Sequence, residues 1–145
     1  MEVLDYKGVK MVILDTNLLI DALAGRKAAV DVIEAYKGTE GASITVFSKY
    51  ELLRGSKFSE QGIIEDFVDK FNVYGLGDKE IEAAVSIYRK LKSGGRIIDE
   101  LDIMIAGIAV ANSEKLVTND KDFIAVKRLG YGNIVVVDSR SLAFR

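Results

Sequence analysis

The stretch MVILDTNLLID, residues 11 to 21, decides how the rest of the chain is read. Residues 11 to 14 are apolar without alternation, as in a strand buried on both faces of a parallel sheet. Asn17 is placed to cap a helix through LLIDALAG that ends at Gly25. Between strand and helix stands Asp15. A carboxylate directly after four core residues is costly unless something binds it, so Asp15 is the first candidate functional residue.

Working outward, a second helix is predicted from about Lys27 to Lys37, with Ala29, Ile33 and Tyr36 on one face. ASITVF (42 to 47) is short and β-branched and predicts a strand, and SKYELLRG opens the next helix. Ile63, Ile64, Phe67, Val68 and Phe71 recur at helical spacing, and NVYGL then reads as a short strand leading to Asp78. Ile81, Ala84, Val85, Tyr88 and Leu91 form one apolar stripe of an amphipathic helix that stops at Gly94 and Gly95. DIMIAGIAVAN is apolar all round, which marks a central buried helix, while KLVT and NIVVV are the last strands. The linker SGGR is a turn, not a domain boundary. Strands alternating with helices give an α/β class: a parallel central sheet of four to five strands flanked by helices.

The chain has 145 residues, 49% apolar and 29% charged, with a formal net charge of −2. That length suits one folded domain. It contains no cysteine and no histidine, which excludes disulfides, thiolate nucleophiles, Cys/His zinc sites and every triad built on histidine. The mild acidity, pI about 5.3, argues against coating nucleic acid through bulk charge. No apolar run approaches a bilayer span and the N-terminus carries acids where a signal peptide has an apolar core. A cytoplasmic protein without a membrane segment is expected.

The remaining acids fall into a pattern. Glu51 lies one turn into the helix after the second strand, Asp102 at the start of the central helix, and Asp120 directly after KLVT. In an open α/β sheet ligands bind outside the carboxyl ends of the strands, so topology sends at least Asp15, Glu51 and Asp120 to one edge. Asp102 follows a turn between helices, and its convergence on that edge is an expectation. Each acid has a structural reading too: Ser48 with Glu51 forms a capping box, Asp99 caps the central helix with Asp102 in its first turn, and Asp120 caps the helix after it. Taken together, several carboxylates in one crevice repel one another and call for a hard divalent cation, Mg²⁺ or Mn²⁺. Such an ion lowers the pKa of water and offsets the charge that builds on a phosphate.

LDTN at 14 to 17, the glutamate of YELLRG at 51, D-x-x-I-A at 102 to 106 and TNDKDF at 118 to 123 resemble the PIN domain, in particular the VapC-like toxin ribonucleases of toxin–antitoxin pairs. The resemblance implies a metal-dependent RNA endonuclease with one or two Mg²⁺ or Mn²⁺ ions among Asp15, Glu51, Asp102 and Asp120. By the same resemblance, Thr16, Asn17 and Thr118 orient carboxylates or water. Asp99 and Asp122 are two further acids that rank below the four, Asp99 as a cap and Asp122 as a residue fixing the loop before Phe123. The family also implies a homodimer and silencing by a small antitoxin encoded elsewhere. Its usual start is a methionine just before the first strand, here Met11. Residues 1 to 10 are then an extra N-terminal segment, an added strand or arm, unless translation starts at Met11, and residues 11 to 145 form a single PIN-like domain.

An RNA substrate needs cations around this acidic crevice, and Lys49, Arg54, Arg96 and Lys121 are placed to supply phosphate contacts. Tyr50 and Phe123 are either base-stacking residues or core. Two other classes compete. A non-catalytic PIN-like module would use the same scaffold to bind protein partners. An aspartyl-phosphate domain would use Asp15 as the phosphorylated group, but Asn17 occupies the second acidic position of D-x-D, so this reading ranks last.

Overall fold

The computed structural model describes residues 11 to 39 and 41 to 138. The expected extra segment, residues 1 to 10, lies outside them. Strands β1 (Val12–Leu14), β2 (Ala42–Thr45), β3 (Asn72–Tyr74), β4 (Lys115–Thr118) and β5 (Ile134–Val136) form one all-parallel sheet in the order β3-β2-β1-β4-β5. They are joined through α1 (Thr16–Leu23), α2 (Lys27–Thr39), α3 (Val46–Gly55), α4 (Gln61–Asp69), α5 (Asp78–Ser93), α6 (Glu100–Ala111) and α7 (Ile124–Lys127).

β1 is the central strand, and Val12, Ile13 and Leu14 are all 0% exposed. Val12 and Leu14 join one core with Leu18, Val32 and Leu52. Ile13 points the other way, into a core with Ile87, Ile105 and Leu116. Helices cover both faces, which is why β1 shows no alternation of apolar and polar residues. Each fully buried aliphatic side chain stabilises the fold by roughly 1.5–3 kcal/mol.

Several boundaries differ from the sequence pattern. β2 ends at Thr45, and Val46 and Phe47 already belong to α3, because Thr45 is extended and its hydroxyl accepts the Ser48 amide at 3.2 Å. The expected capping box of Ser48 and Glu51 is therefore not formed: Thr45 caps the helix, and Ser48 and Glu51 turn to other partners. Nor is Asn17 the cap of α1. Asp15 holds that position with extended backbone, while Asn17 is exposed inside the first turn. The chain leaves α1 through Gly25 at φ +83°, as the glycine signal predicts.

The expected stripe on α5 is only half covered. Ala84 and Leu91 are buried, together with Ile87, but Ile81, Val85 and Tyr88 are 46%, 40% and 38% exposed. The buried side of α5 is instead the one that meets α6. There a Cβ built on Gly107 would lie 2.8 Å from both the backbone nitrogen and the Cβ of Ala84. Backbone cannot yield as a flexible side chain does, so a methyl group at 107 must push the two helices apart. Glu80 adds a polar tie at the same crossing, accepting the Gly77 amide at 2.9 Å and the Asn112 side-chain amide at 3.1 Å. Gly107→Ala is expected to destabilise the protein by about 2 kcal/mol: overpacking costs about 1–3 kcal/mol and outweighs the ~1 kcal/mol that alanine gains over glycine in a helix. A urea midpoint equal to or above that of the unaltered chain would contradict so close a crossing.

Candidate active site

After β1 the chain turns to β2 on one side, and after α6 it returns to β4 on the other. The strand order therefore reverses about β1, and the C-terminal ends of β1 and β4 flank a topological switch point. Asp15 leaves β1 there, with its amide bonded to the Val117 carbonyl at 3.0 Å. Thr118 leaves β4, and its hydroxyl donates to Asp15 Oδ2 at 2.8 Å while accepting the Asp120 amide at 3.0 Å. One threonine thus fixes both Asp15 and the loop that carries Asp120.

That loop closes in two further steps. Asp120 Oδ1 accepts the Asp122 amide at 2.9 Å, which makes Asp120 the cap of the short 3₁₀ turn Lys121–Phe123. Asn119 reaches across to Asp21 of α1 at 2.9 Å. The loop before Phe123 is thus held by the Asp120 carboxylate and the Asp122 backbone, not by the Asp122 side chain. The Asp122 carboxylate instead stands with Asp102 and Asp120, and one ligand oxygen from each lies within 4.8 Å of the others. Asp122, an acid ranked below the four in the sequence, thus stands beside two of them.

Asp102 arrives from α6, one turn after Asp99. Asp99 caps that helix as expected, its carboxylate accepting the Leu101 amide at 3.2 Å. Glu51 arrives from α3 and is held by a relay. Its Oε1 accepts the Thr16 hydroxyl at 2.9 Å, so Thr16 accepts in turn from Ser48, 2.8 Å away. Thr16 and Thr118 therefore each donate a hydrogen bond to a carboxylate, Glu51 and Asp15 respectively. Asn17, the remaining member of LDTN in that role, makes no hydrogen bond to an acid among the described residues.

The electrostatics follow from this convergence. Burial pushes the Asp15 carboxyl up to about 6; hydrogen bonds from Thr118 and the Thr16 backbone oppose the shift, and Asp120 and Glu51 add to it. Asp102 is pushed up to about 7, first by burial and then by the charges of Asp15, Asp120, Asp99 and Asp122. A group of hard oxygen donors that hold one another's protons on is chemically suited to a divalent cation.

The family model of the PIN domain matches residues 12 to 129. This chain is a PIN domain protein. Among its relatives, ribonuclease VapC1 of Methanocaldococcus jannaschii is 28% identical over 126 residues, spanning 86% of this chain and 87% of the relative. Ribonuclease VapC19 of Mycobacterium tuberculosis is 30% identical over 116 residues, spanning 78% and 92%. In structure the PIN domain resembles VapBC2 from Rickettsia felis bound to a promoter DNA fragment, with a TM-score of 0.74, 23% identity and coverage of 88% and 97%. It also resembles a toxin–antitoxin complex from Klebsiella pneumoniae, with a TM-score of 0.72, 23% identity and coverage of 86% and 96%. These two share the five-stranded parallel fold.

The four basic residues expected to contact phosphate divide between the two sides of the sheet. Lys49 and Arg54 flank Glu51 on the β2 side, with the Arg54 guanidinium 5.3 Å from the centre of the Tyr50 ring. Arg96 and Lys121 line a cleft on the β4 side together with Asp122. Tyr50 is 59% exposed, whereas Phe123 is 0% exposed and belongs to the core, so base stacking by Phe123 is excluded.

Proposed function

We propose that this PIN domain protein is a metal-dependent RNA endonuclease, the toxin of a toxin–antitoxin pair. The observation that carries the reading is the meeting of Asp102, Asp120 and Asp122 at the switch point beside Asp15, where burial first and the neighbouring carboxylates after it push Asp102 up to about 7. The names of the sequence relatives support RNA as the substrate. Asp15, Asp102 and Asp120 would hold Mg²⁺ or Mn²⁺, joined by Asp122, with Glu51 as a further ligand or a water-positioning group. When bound, the ion supplies a water of lowered pKa and offsets charge on the phosphate.

The chain's own groups then divide the work. Thr118 fixes Asp15 from one side of the crevice, and the Ser48–Thr16 relay fixes Glu51 from the other. Thr16 occupies Glu51 Oε1, while Oε2 receives no hydrogen bond from the described residues. That oxygen is the one to orient an attacking water and take its proton. The structural supports of Asp15 and Glu51 do not depend on the ion, so the site is preorganised before it is loaded.

A groove of about 500 Å³ runs from Glu51 over Ile20, Leu23, Leu52, Ile63 and Ile64. Its apolar floor and its continuity with the acidic crevice suit an amphipathic segment of a small antitoxin, which would cover the site while docked. The cleft of about 360 Å³ beside Ile81, Val85, Tyr88 and Met104 offers apolar surface for the expected homodimer. A protein with an RNA substrate of this kind is expected to act in the cytoplasm.

The purified chain is expected to cleave members of a mixed RNA panel with Mn²⁺ or Mg²⁺ and to leave all of them intact in EDTA. Cleavage that persists in EDTA would contradict the acidic centre. Intact RNA under every condition, with a protein partner bound, would favour a non-catalytic binding module.

A further inference from the structure

We propose that the trough between the α5–α6 turn and α7 is a phosphate-binding subsite, with Arg96, Lys121 and Arg128 contacting the backbone of a single nucleic-acid strand as it leaves the acidic centre. The proposal deepens the nuclease reading and rests on it. A cleft of about 320 Å³ is lined by Arg96, Lys121 and Arg128, with Asp122 as its acidic member. Asp122 also belongs to the carboxylate group of the centre, so the two sites share a wall. A second hollow of about 190 Å³ shares Arg96 and Arg128 with the first and adds Lys90, which extends the line of cations away from the acids.

Three features bear on what this line of cations can hold. Among the described residues Arg96, Lys121 and Arg128 have no ion pair and no side-chain hydrogen bond, although the chain carries more acids than bases overall. Unpaired cations side by side repel one another, and an anion relieves that repulsion. Ile97 stands among them at 87% exposure, where an aliphatic surface can meet a ribose or base while the cations meet phosphates. Finally, the acidic centre repels every phosphate except the one undergoing reaction. A strand crossing it needs compensating charge next to the centre, and the trough supplies it on the β4 side. Arg128 was invisible to sequence reasoning, because it follows α7, well after the acidic motif.

Fluorescence anisotropy with a labelled single-stranded RNA tests the assignment in the inactive Asp102→Asn protein, across a range of potassium chloride concentrations. Each phosphate contact on a single strand contributes about 0.7 to the slope of log affinity against log salt. Arg96→Ala/Arg128→Ala is expected to flatten that slope by about 1.4 and to weaken binding roughly tenfold. Lys37→Ala/Lys70→Ala removes the same charge from exposed positions that precede β2 and β3, at the opposite edge of the sheet, and is expected to leave the slope unchanged. In the active protein the trough double variant should raise KM for a long RNA more than for one too short to reach the trough.

If the wild type cuts RNA but the two double variants have equal slopes, the trough is not on the strand's path, and its cations are left for an acidic protein segment. If the wild type cuts no RNA but the trough variant still flattens the slope on single-stranded DNA, the ribonuclease reading fails and the subsite stands. Absence of binding to either strand overturns both.

Discussion

Asp102→Asn is expected to reduce metal-dependent RNA cleavage by about 10²- to 10³-fold while making the metal-free protein harder to unfold at pH 7.5. The loss follows from removing a charged oxygen donor: groups that merely support a metal ligand are worth about 10–100-fold, and a donor aimed at developing charge about 10²–10³-fold. The gain follows from the neighbours. Asp102 is pushed up to about 7 by burial and by four carboxylates, so at pH 7.5 most of the metal-free protein carries that repulsion. Asparagine keeps the shape and removes the charge. Because Asp102 is only half-buried, solvent screens part of the effect, and on the order of 1–2 kcal/mol is expected. The first turn of α6 favours a negative charge by about 0.3–1 kcal/mol, a smaller term of opposite sign. At pH 5 folded Asp102 is already protonated while the unfolded chain, with its ordinary value of 3.8, has released that proton, so the stability difference should shrink to less than half; it disappears only below about pH 4. Thermal unfolding in EDTA at the two pH values measures this, beside cleavage assays on the same preparations. A variant that still cuts RNA removes Asp102 from the centre; one that is less stable at pH 7.5 removes the repulsion.

The fold was legible where local sequence mirrors burial. β1 carries apolar residues on both faces because both faces are covered, and α6 is apolar all round because it lies between α5 and the sheet. The misreadings arose where a local rule had two solutions that only tertiary structure could separate. Thr45 and Ser48 can each cap a helix. Thr16, distant in sequence, bonds to Ser48 and Glu51 and leaves the cap to Thr45. On α5, Ile81, Val85 and Tyr88 advertise an apolar face, yet the close contact is made by Ala84 with Gly107, and small residues give no hydropathy signal. Three of the acids could be assigned to one edge because each follows a strand closely. Asp102 and the cleft around Arg128 depend on how α6 and α7 pack, which no spacing within the chain encodes. Asp122 likewise depends on packing: its amide bonds to Asp120, while its carboxylate stands near Asp102 of another helix.

Without a divalent cation, stability is expected to fall as pH rises from 5 to 7.5, and Mg²⁺ or Mn²⁺ is expected to restore it most strongly at pH 7.5. Asp15 and Asp102, with an ordinary value of 3.8, titrate in the folded chain at about 6 and about 7. Between those values the folded state holds protons that the unfolded state has released, so each rise in pH favours unfolding. Below about pH 4 both states are protonated and the penalty is absent; above about pH 7 it is fully present. For buried Asp15, a carboxyl raised from 3.8 to about 6 corresponds to about 3 kcal/mol once fully ionised, and the half-exposed Asp102 adds less. Two other shifted groups act outside this window. Burial raises Glu80, but hydrogen bonds from Asn112 and Gly77 outweigh it and the net shift is downward, so its stabilisation is lost only at lower pH. Tyr74 is raised by burial and by its hydrogen bond to Glu114, and it acts only in alkali. A cation binds the ionised carboxylates and competes with protons at lower pH; at a hundred times its dissociation constant it adds about 2.7 kcal/mol. For a chain of this length the fall in EDTA corresponds to about 5–10 °C in Tm. A Tm in EDTA that instead climbs between pH 5 and 7.5 would mean that the acids are compensated without a metal, and the centre would then be a structural cluster.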